Sequence, residues 1–392
     1  MGIAVAVLAA AFLSVSTGPA HASAPSRSVP LGSGGKGTVV VVAAGLNNPR
    51  GLSYEDGLLY VAEAGTGGPD CPHGATGPEG GPLCVGRTGA LISISTTGQI
   101  RTLRAGLLST TDLPGGIAAT GIAAVAVEHH RLETVSSESV LGLLASIPTG
   151  SSLTPADSAA ARDQLGRLRL LGPGPSADRT LADVGDGDYV WSGVHQDLVP
   201  QQFPDANPNA LLIEGHTTYV IDAASNTIDA VDHRGAVTQL AFFPNPAHSD
   251  AVPTCVAEGP GGDLYIGQLA PGAPLNGGSI YRFSLATHRL TVWQSGFNVV
   301  DGCGFDEHGN FYATEFQAHG FNPGPSGNPA GDVIKIAPNG TRSVLGTGKL
   351  FYPQGFATDH EGHIYISNWS ILPGTSAHPG TPTGQVVRIT TN

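Results

Sequence analysis

The chain has 392 residues, a formal net charge of −13 and 12 % charged residues, with 56 Gly and 30 Pro. Lysine occurs only at Lys36, Lys335 and Lys349, so no basic cluster exists for nucleic acid or for an anionic membrane surface. A hydrophobic content of 40 % argues against disorder, and the abundance of Gly and Pro suits many short strands joined by turns.

The N-terminus reads as an export signal over residues 1–22, followed by a flexible segment over 23–36. Ile3 to Leu13 is an apolar run of h-region length, and Ala20-His21-Ala22 offers a small-x-small cleavage site, with Ala22-Ser23-Ala24 as an alternative. No Lys or Arg precedes the run, and the run is too short to span a bilayer. No other segment reads as transmembrane. The expected location is therefore outside the cell or in its envelope. Four cysteines in an exported chain favour disulfides. Cys71 and Cys84 bracket a Gly/Pro-rich loop and are expected to pair. Cys255 and Cys303 hold matching places in consecutive repeats and form the second expected pair.

From residue 37 onward a single pattern recurs: a turn, an apolar–Tyr–apolar run, and a polar residue three places after the Tyr. It appears around Tyr60, Tyr219, Tyr265, Tyr312 and Tyr365. A period of roughly 40–50 residues rich in short strands marks the blades of a β-propeller. Each repeat divides into four strands. The first follows a turn, as at Asn48-Pro49-Arg50-Gly51-Leu52, and the second carries the Tyr. The third alternates, as at Ala90-Leu91-Ile92-Ser93-Ile94, and the fourth follows a Gly or basic turn. The second repeat is eroded and starts near Gly121, with Leu132-Glu133-Thr134-Val135 as its second strand.

Residues 138–173 read as a helical insertion. Ser158 to Leu171 is the helix candidate, with Thr154 as cap and Pro155 at the first helical position. The last repeat lacks a fourth strand, and a spare strand, Thr38 to Ala43, precedes the first. The N-terminal strand is therefore expected to close the C-terminal blade and remove an open edge. The predicted fold is an all-β, six-bladed β-propeller of four-stranded blades over residues 37–392.

Several stretches carry a family resemblance. They are Asn48-Pro49-Arg50-Gly51-Leu52, Leu181-Ala182-Asp183-Val184, Asn207-Pro208-Asn209-Ala210-Leu211 with Tyr219-Val220-Ile221-Asp222, and Pro253-Thr254-Cys255-Val256-Ala257 with Leu264-Tyr265-Ile266-Gly267. In these the chain resembles the ScyD/ScyE-like family of exported proteins, relatives of the NHL and gluconolactonase-type propellers. Ala210 departs from the family, which more often has Gly there. The resemblance implies fold and location and brings no general catalytic mechanism.

The loops between second and third strands are long: 64–89, 269–278, 316–331 and 369–384. The opposite face has tight turns such as Asp306-Glu307-His308-Gly309. Long loops on a rigid scaffold are where binding resides, so a small molecule, glycan or protein is expected on that face of a monomer. The polar residues after each Tyr, namely Glu63, Asp222, Gln268, Glu315 and Asn368, belong at that channel mouth. Glu63, Asp222, Glu315 and Asn368 are oxygen donors suited to calcium or another divalent metal, and the resemblance to gluconolactonase-type propellers points the same way. The bland alternative is that these side chains cap loops or hold water. Phe316, Phe321, Tyr352 and Trp369 are candidates to line the face, whereas Trp191 and Trp293 are expected between blades. No G-x-S-x-G and no nucleotide-binding strand–loop–helix unit occurs. The leading expectation is a binding or accessory protein. The alternative is a metal-dependent hydrolase or lactonase with Glu63 or Glu315 as base. A quinone-dependent oxidoreductase has less support, because no basic, histidine-lined pocket can be assembled.

Overall fold

A computed structural model describes residues 37–391 except 96, 199–203, 247–248, 323–327, 376 and 379–380. The expected signal segment lies outside the described residues. Six four-stranded antiparallel sheets form a ring. The innermost strands, in blade order, are Pro49–Glu55, Ile122–Glu128, Pro208–Glu214, Pro253–Glu258, Val300–Phe305 and Phe356–Thr358. In the sixth blade Gln385–Thr390 pairs with His363–Asn368 on one side and with the N-terminal strand Val39–Ala44 on the other. The ring is thus closed by its own first strand, as the spare strand predicted.

Each of the six seams between blades holds one apolar cluster. Between blades six and one, for example, Val42, Leu52, Val61, Ile92 and Val386 pack together. Alternating side chains place the apolar half of every strand against a neighbouring blade. The recurrent tyrosines have a second role. Tyr312 Oη donates to Asp306 Oδ2 at 2.9 Å, and Tyr365 Oη donates to Asp359 Oδ2 at 2.9 Å. These aspartates also accept backbone N–H groups of the tight turns on the opposite face, so the Tyr locks the hairpin that precedes it.

Both expected disulfides are present, Cys71–Cys84 closing the first long loop and Cys255–Cys303 joining the inner strands of blades four and five. Among the described residues no helix is long and apolar enough to cross a membrane.

The helical part departs from expectation. Three helices are present among the described residues: α1 (Val140–Ala145), α2 (Pro155–Gln164) and α3 (Gly185–Val194). Thr154 caps α2 by accepting from the Asp157 N–H. The predicted helix over Ser158–Leu171 instead ends at Gln164, and Arg167–Leu171 is the third strand of blade two. Gly166, at φ +65°, makes the turn between them, and its missing Cβ lets Gly185 and the Glu138 carbonyl approach. Arg167-Leu168-Arg169-Leu170 has period two, and Leu168 is fully buried in a seam, so packing overrides helix propensity. Trp191 lies on α3, stacked on His195 and tilted against Phe242, rather than between blades. Trp293 does pack between blades four and five, against Tyr265 and Phe311.

Candidate functional site

Four of the polar residues at the ends of the second strands share one job. Glu63 Oε1 accepts the Asn47 N–H at 2.7 Å, Glu315 Oε1 the Asn298 N–H at 2.8 Å, and Asn368 Oδ1 the Phe351 N–H at 2.7 Å. Asp222 accepts from the Asn207 N–H with both oxygens, and Oδ1 also accepts from Ala224 and Ser225. Each thereby pins the loop that enters its own blade. Gln268 is buried at the matching place. Glu63, Asp222 and Glu315 do not converge: among the described residues, the one group of three acidic or histidine side chains within reach of a single ion is Glu55, Asp56 and His130. That group lies on the tight-turn face, with Asp56 and His130 exposed. Burial pushes Glu63 up to about 7. Glu315 also rises to about 7, through burial and the adjacent Asp332 carboxyl, which itself rises to about 6 by burial.

The residues that do converge sit one step away. Arg50, Ala123, Asn209, Thr254 and Asp301 are the second residues of the first five innermost strands, Gln354 lies two residues before the sixth, and all six line one chamber on the propeller axis. In blades two to five this residue falls at a break in the pairing register, between Ile122 and Ala124, Pro208 and Ala210, Pro253 and Cys255, and Val300 and Gly302. A β-bulge leaves the extra residue unpaired and re-aims its side chain, here toward the axis. The following glycines let the neighbouring blade approach. A Cβ on Gly302 would run into the Gln354 carbonyl, and one on Gly355 into the Arg50 carbonyl.

Arg50 is the one basic side chain among the described residues that line this chamber. It donates to Gln354 Oε1 at 3.0 Å and to the Ala119 carbonyl at 2.7 Å. Burial lowers its pKa to about 10, opposed by the charge of Asp301. Burial raises Asp301 to about 7 in spite of Arg50. Desolvation thus outweighs the attraction between the two groups. Asn209 donates to the Thr254 carbonyl and Thr254 to the Val300 carbonyl, so the ring also stitches blades together.

The chamber leads off-axis. Thr120, Asn207 and Ala223 line both it and a neighbouring cavity of about 100 Å³, which in turn shares Leu83, Glu138 and Asp205 with a third cavity of about 420 Å³. The largest cavity is walled by the first long loop, α1 and Tyr189 of α3. Of the aromatic candidates, Phe316 lines the axial chamber, while Phe316, Tyr352 and Trp369 form one buried cluster with Phe321 packed against it.

A divalent cation fits these donors poorly. The axial chamber offers one carboxyl, Asp301, beside a guanidinium that already supplies positive charge. At the second-strand ends Glu63, Asp222, Glu315 and Asn368 are engaged by backbone N–H groups. Hard cations take six to eight oxygens, several of them carboxylate.

No site expectation fell on Arg50, Asn209, Thr254, Asp301 or Gln354. Their signal is positional: four of the five directly follow a proline. Glu138 and Asp205 carry no motif.

No family model and no curated protein matches the chain. Solved structures do resemble it. A protein of unknown function from Bacteroides thetaiotaomicron is 10 % identical over 90 % of this chain and 75 % of its own, with a TM-score of 0.51. A candidate gluconolactonase is 12 % identical over 90 % of this chain and 92 % of its own, with a TM-score of 0.50. Regucalcin, a calcium-binding protein from Agrobacterium tumefaciens, is 12 % identical over 89 % and 92 %, with a TM-score of 0.46. At these identities the likeness is one of fold.

Proposed function

We propose that this protein is a secreted, monomeric binding or accessory propeller of ScyD/ScyE-like type, which takes its ligand on the long-loop face. One observation carries the reading: a row of adjoining cavities extends from a polar axial chamber to a space of about 420 Å³ between the first long loop and the helices. Ligand sites are concave, with a few convergent polar groups, and this is the one system among the cavities described that joins the axis to the loops. Two disulfides suit an oxidising compartment. The chain's net charge of −13 and scarcity of lysine speak against nucleic acid as a partner. Equilibrium binding to panels of glycans, small molecules and envelope proteins tests the proposal. A saturable partner whose affinity falls on substitution of Glu138 or Arg50 supports it. Lactone turnover without any saturable partner overturns it.

The alternative, a divalent-metal-dependent hydrolase or lactonase using the second-strand oxygens, has weaker support because those oxygens already serve the backbone. Metal analysis is expected to find less than one ion per chain, and chelation is expected to leave the melting temperature unchanged. Stoichiometric metal together with lactone hydrolysis reverses the ranking of the two readings.

A further inference from the structure

The off-axis cavities have a charge character that the binding role leaves unexplained. Among the described residues their linings include Glu79, Asp112, Glu138 and Asp205, and no Lys, Arg or His. Glu138 Oε1 accepts the Thr120 hydroxyl at 2.8 Å, and Asp205 Oδ1 accepts the Ala206 N–H at 2.9 Å. Their second oxygens, Glu138 Oε2 and Asp205 Oδ2, accept no hydrogen bond from the described residues. An ionised carboxylate in such a cavity gains from a cationic partner, and no Lys, Arg or His among the described residues lines this wall.

The rest of the largest cavity is apolar or neutral, with Leu83, Leu143, Pro204 and the ring of Tyr189. Gly142 keeps it open, because a Cβ there would press on Ser139 Oγ and approach the Tyr189 ring. The helices that wall it also expose apolar side chains: Leu141 and Leu144 on α1, Val190 and Val194 on α3. The space therefore pairs an acidic floor with apolar walls and one aromatic face. An ammonium group gains from both carboxylates and from an aromatic ring, and an apolar body gains from the walls.

Resting on the binding role proposed above, we infer that the largest cavity takes an amphipathic organic amine, its ammonium group between Glu138 and Asp205 and its apolar part against Leu143 and Tyr189. Burial and the nearby Asp112 charge raise Glu138, and burial and Glu138 raise Asp205 to about 7. A bound ammonium favours the ionised form of Asp205, so binding near pH 6.5 releases protons. The other titratable groups facing this pair are Glu79 and Asp112 on the loop side, Asp222 and Asp250 from blade three, and Tyr189 from α3.

The test is calorimetry on the whole mature chain with 2-phenylethylamine and its neutral isostere 2-phenylethanol, in two buffers of different ionisation enthalpy. The amine is expected to bind at least roughly tenfold more tightly than the alcohol, the scale of one charge-assisted contact. It is also expected to release protons. Glu138→Gln and, independently, Asp205→Asn are expected to remove most of that preference, and Tyr189→Ala to weaken the amine without changing proton release. Equal binding of amine and alcohol, or unchanged preference in both carboxyl variants, overturns the inference. A neutral glycan bound in the cavity also overturns the amine class while leaving the binding role standing. Calcium competing at the site, with no amine bound, overturns it as well.

Discussion

Asp188 of α3 lies against the carboxyls of Asp222 and Asp229 in blade three, and all three are buried. No basic group neutralises them among the described residues, and Asp188 Oδ2 has no hydrogen-bond donor there. Burial and the two neighbouring carboxyls hold Asp188 well above its ordinary range. Burial and Asp222 lift Asp229 from 3.8 to about 7. Between those two pH values the folded chain keeps a proton that the unfolded chain has lost. Stability therefore falls as pH rises through that window and is flat above it. At 1.36 kcal/mol per pKa unit, one such carboxyl costs on the order of 4 kcal/mol at neutral pH. Asparagine at 188 has the same shape and can donate to both neighbours without holding a titrating proton. Asp188→Asn is expected to stabilise the fold, and by more at pH 8 than at pH 4.5. Urea unfolding of both proteins at the two pH values measures the difference. A loss of stability at pH 8, or a gain of equal size at both pH values, refutes the reasoning.

Three further outcomes are expected. Replacing Cys255 and Cys303 together by Ser removes a bridge closing a span of 48 residues and is expected to cost about 4 kcal/mol in urea unfolding, unless the reduced chain retains the same seam. Gly302→Ala places a Cβ against the Gln354 carbonyl of the adjacent blade and should cost roughly 1–3 kcal/mol by thermal melting, whereas Gly340→Ala, where nothing lies within 4 Å, tests the left-handed backbone alone. Deleting residues 37–44 uncovers the edge of Gln385–Thr390 and is expected to shift the protein to dimers or aggregates in size-exclusion chromatography; an unchanged monomer contradicts the closure.

The propeller was legible because its signals are local. The apolar–Tyr–apolar run, the turn before it and the alternating third strand are each set by a handful of neighbouring residues. The missing fourth strand of the last repeat and the spare strand at Thr38–Ala43 made the closure a matter of counting. Both disulfides followed from loop and repeat position. Strand Arg167–Leu171 was not legible as such, since Ala, Leu and Arg favour a helix until burial of Leu168 in a seam decides otherwise.

The site divides along the same line. By itself the sequence determined that the chain is a ring of six repeats, closed by its first strand and stapled twice, with long loops gathered on one face. Only the tertiary structure decided which polar side chains point inward. Glu63, Asp222, Glu315 and Asn368 share one repeat position, yet each is drawn to a backbone N–H that must be satisfied once its loop is buried. Arg50, Asn209, Thr254, Asp301 and Gln354 reach the axis because a bulge or loop entry frees that residue from the strand ladder. Glu138 and Asp205 meet because α1 and α3 fold over the first long loop. A one-residue shift in register turns a side chain to the opposite face, and that shift is settled by packing between blades, not by any short stretch of sequence.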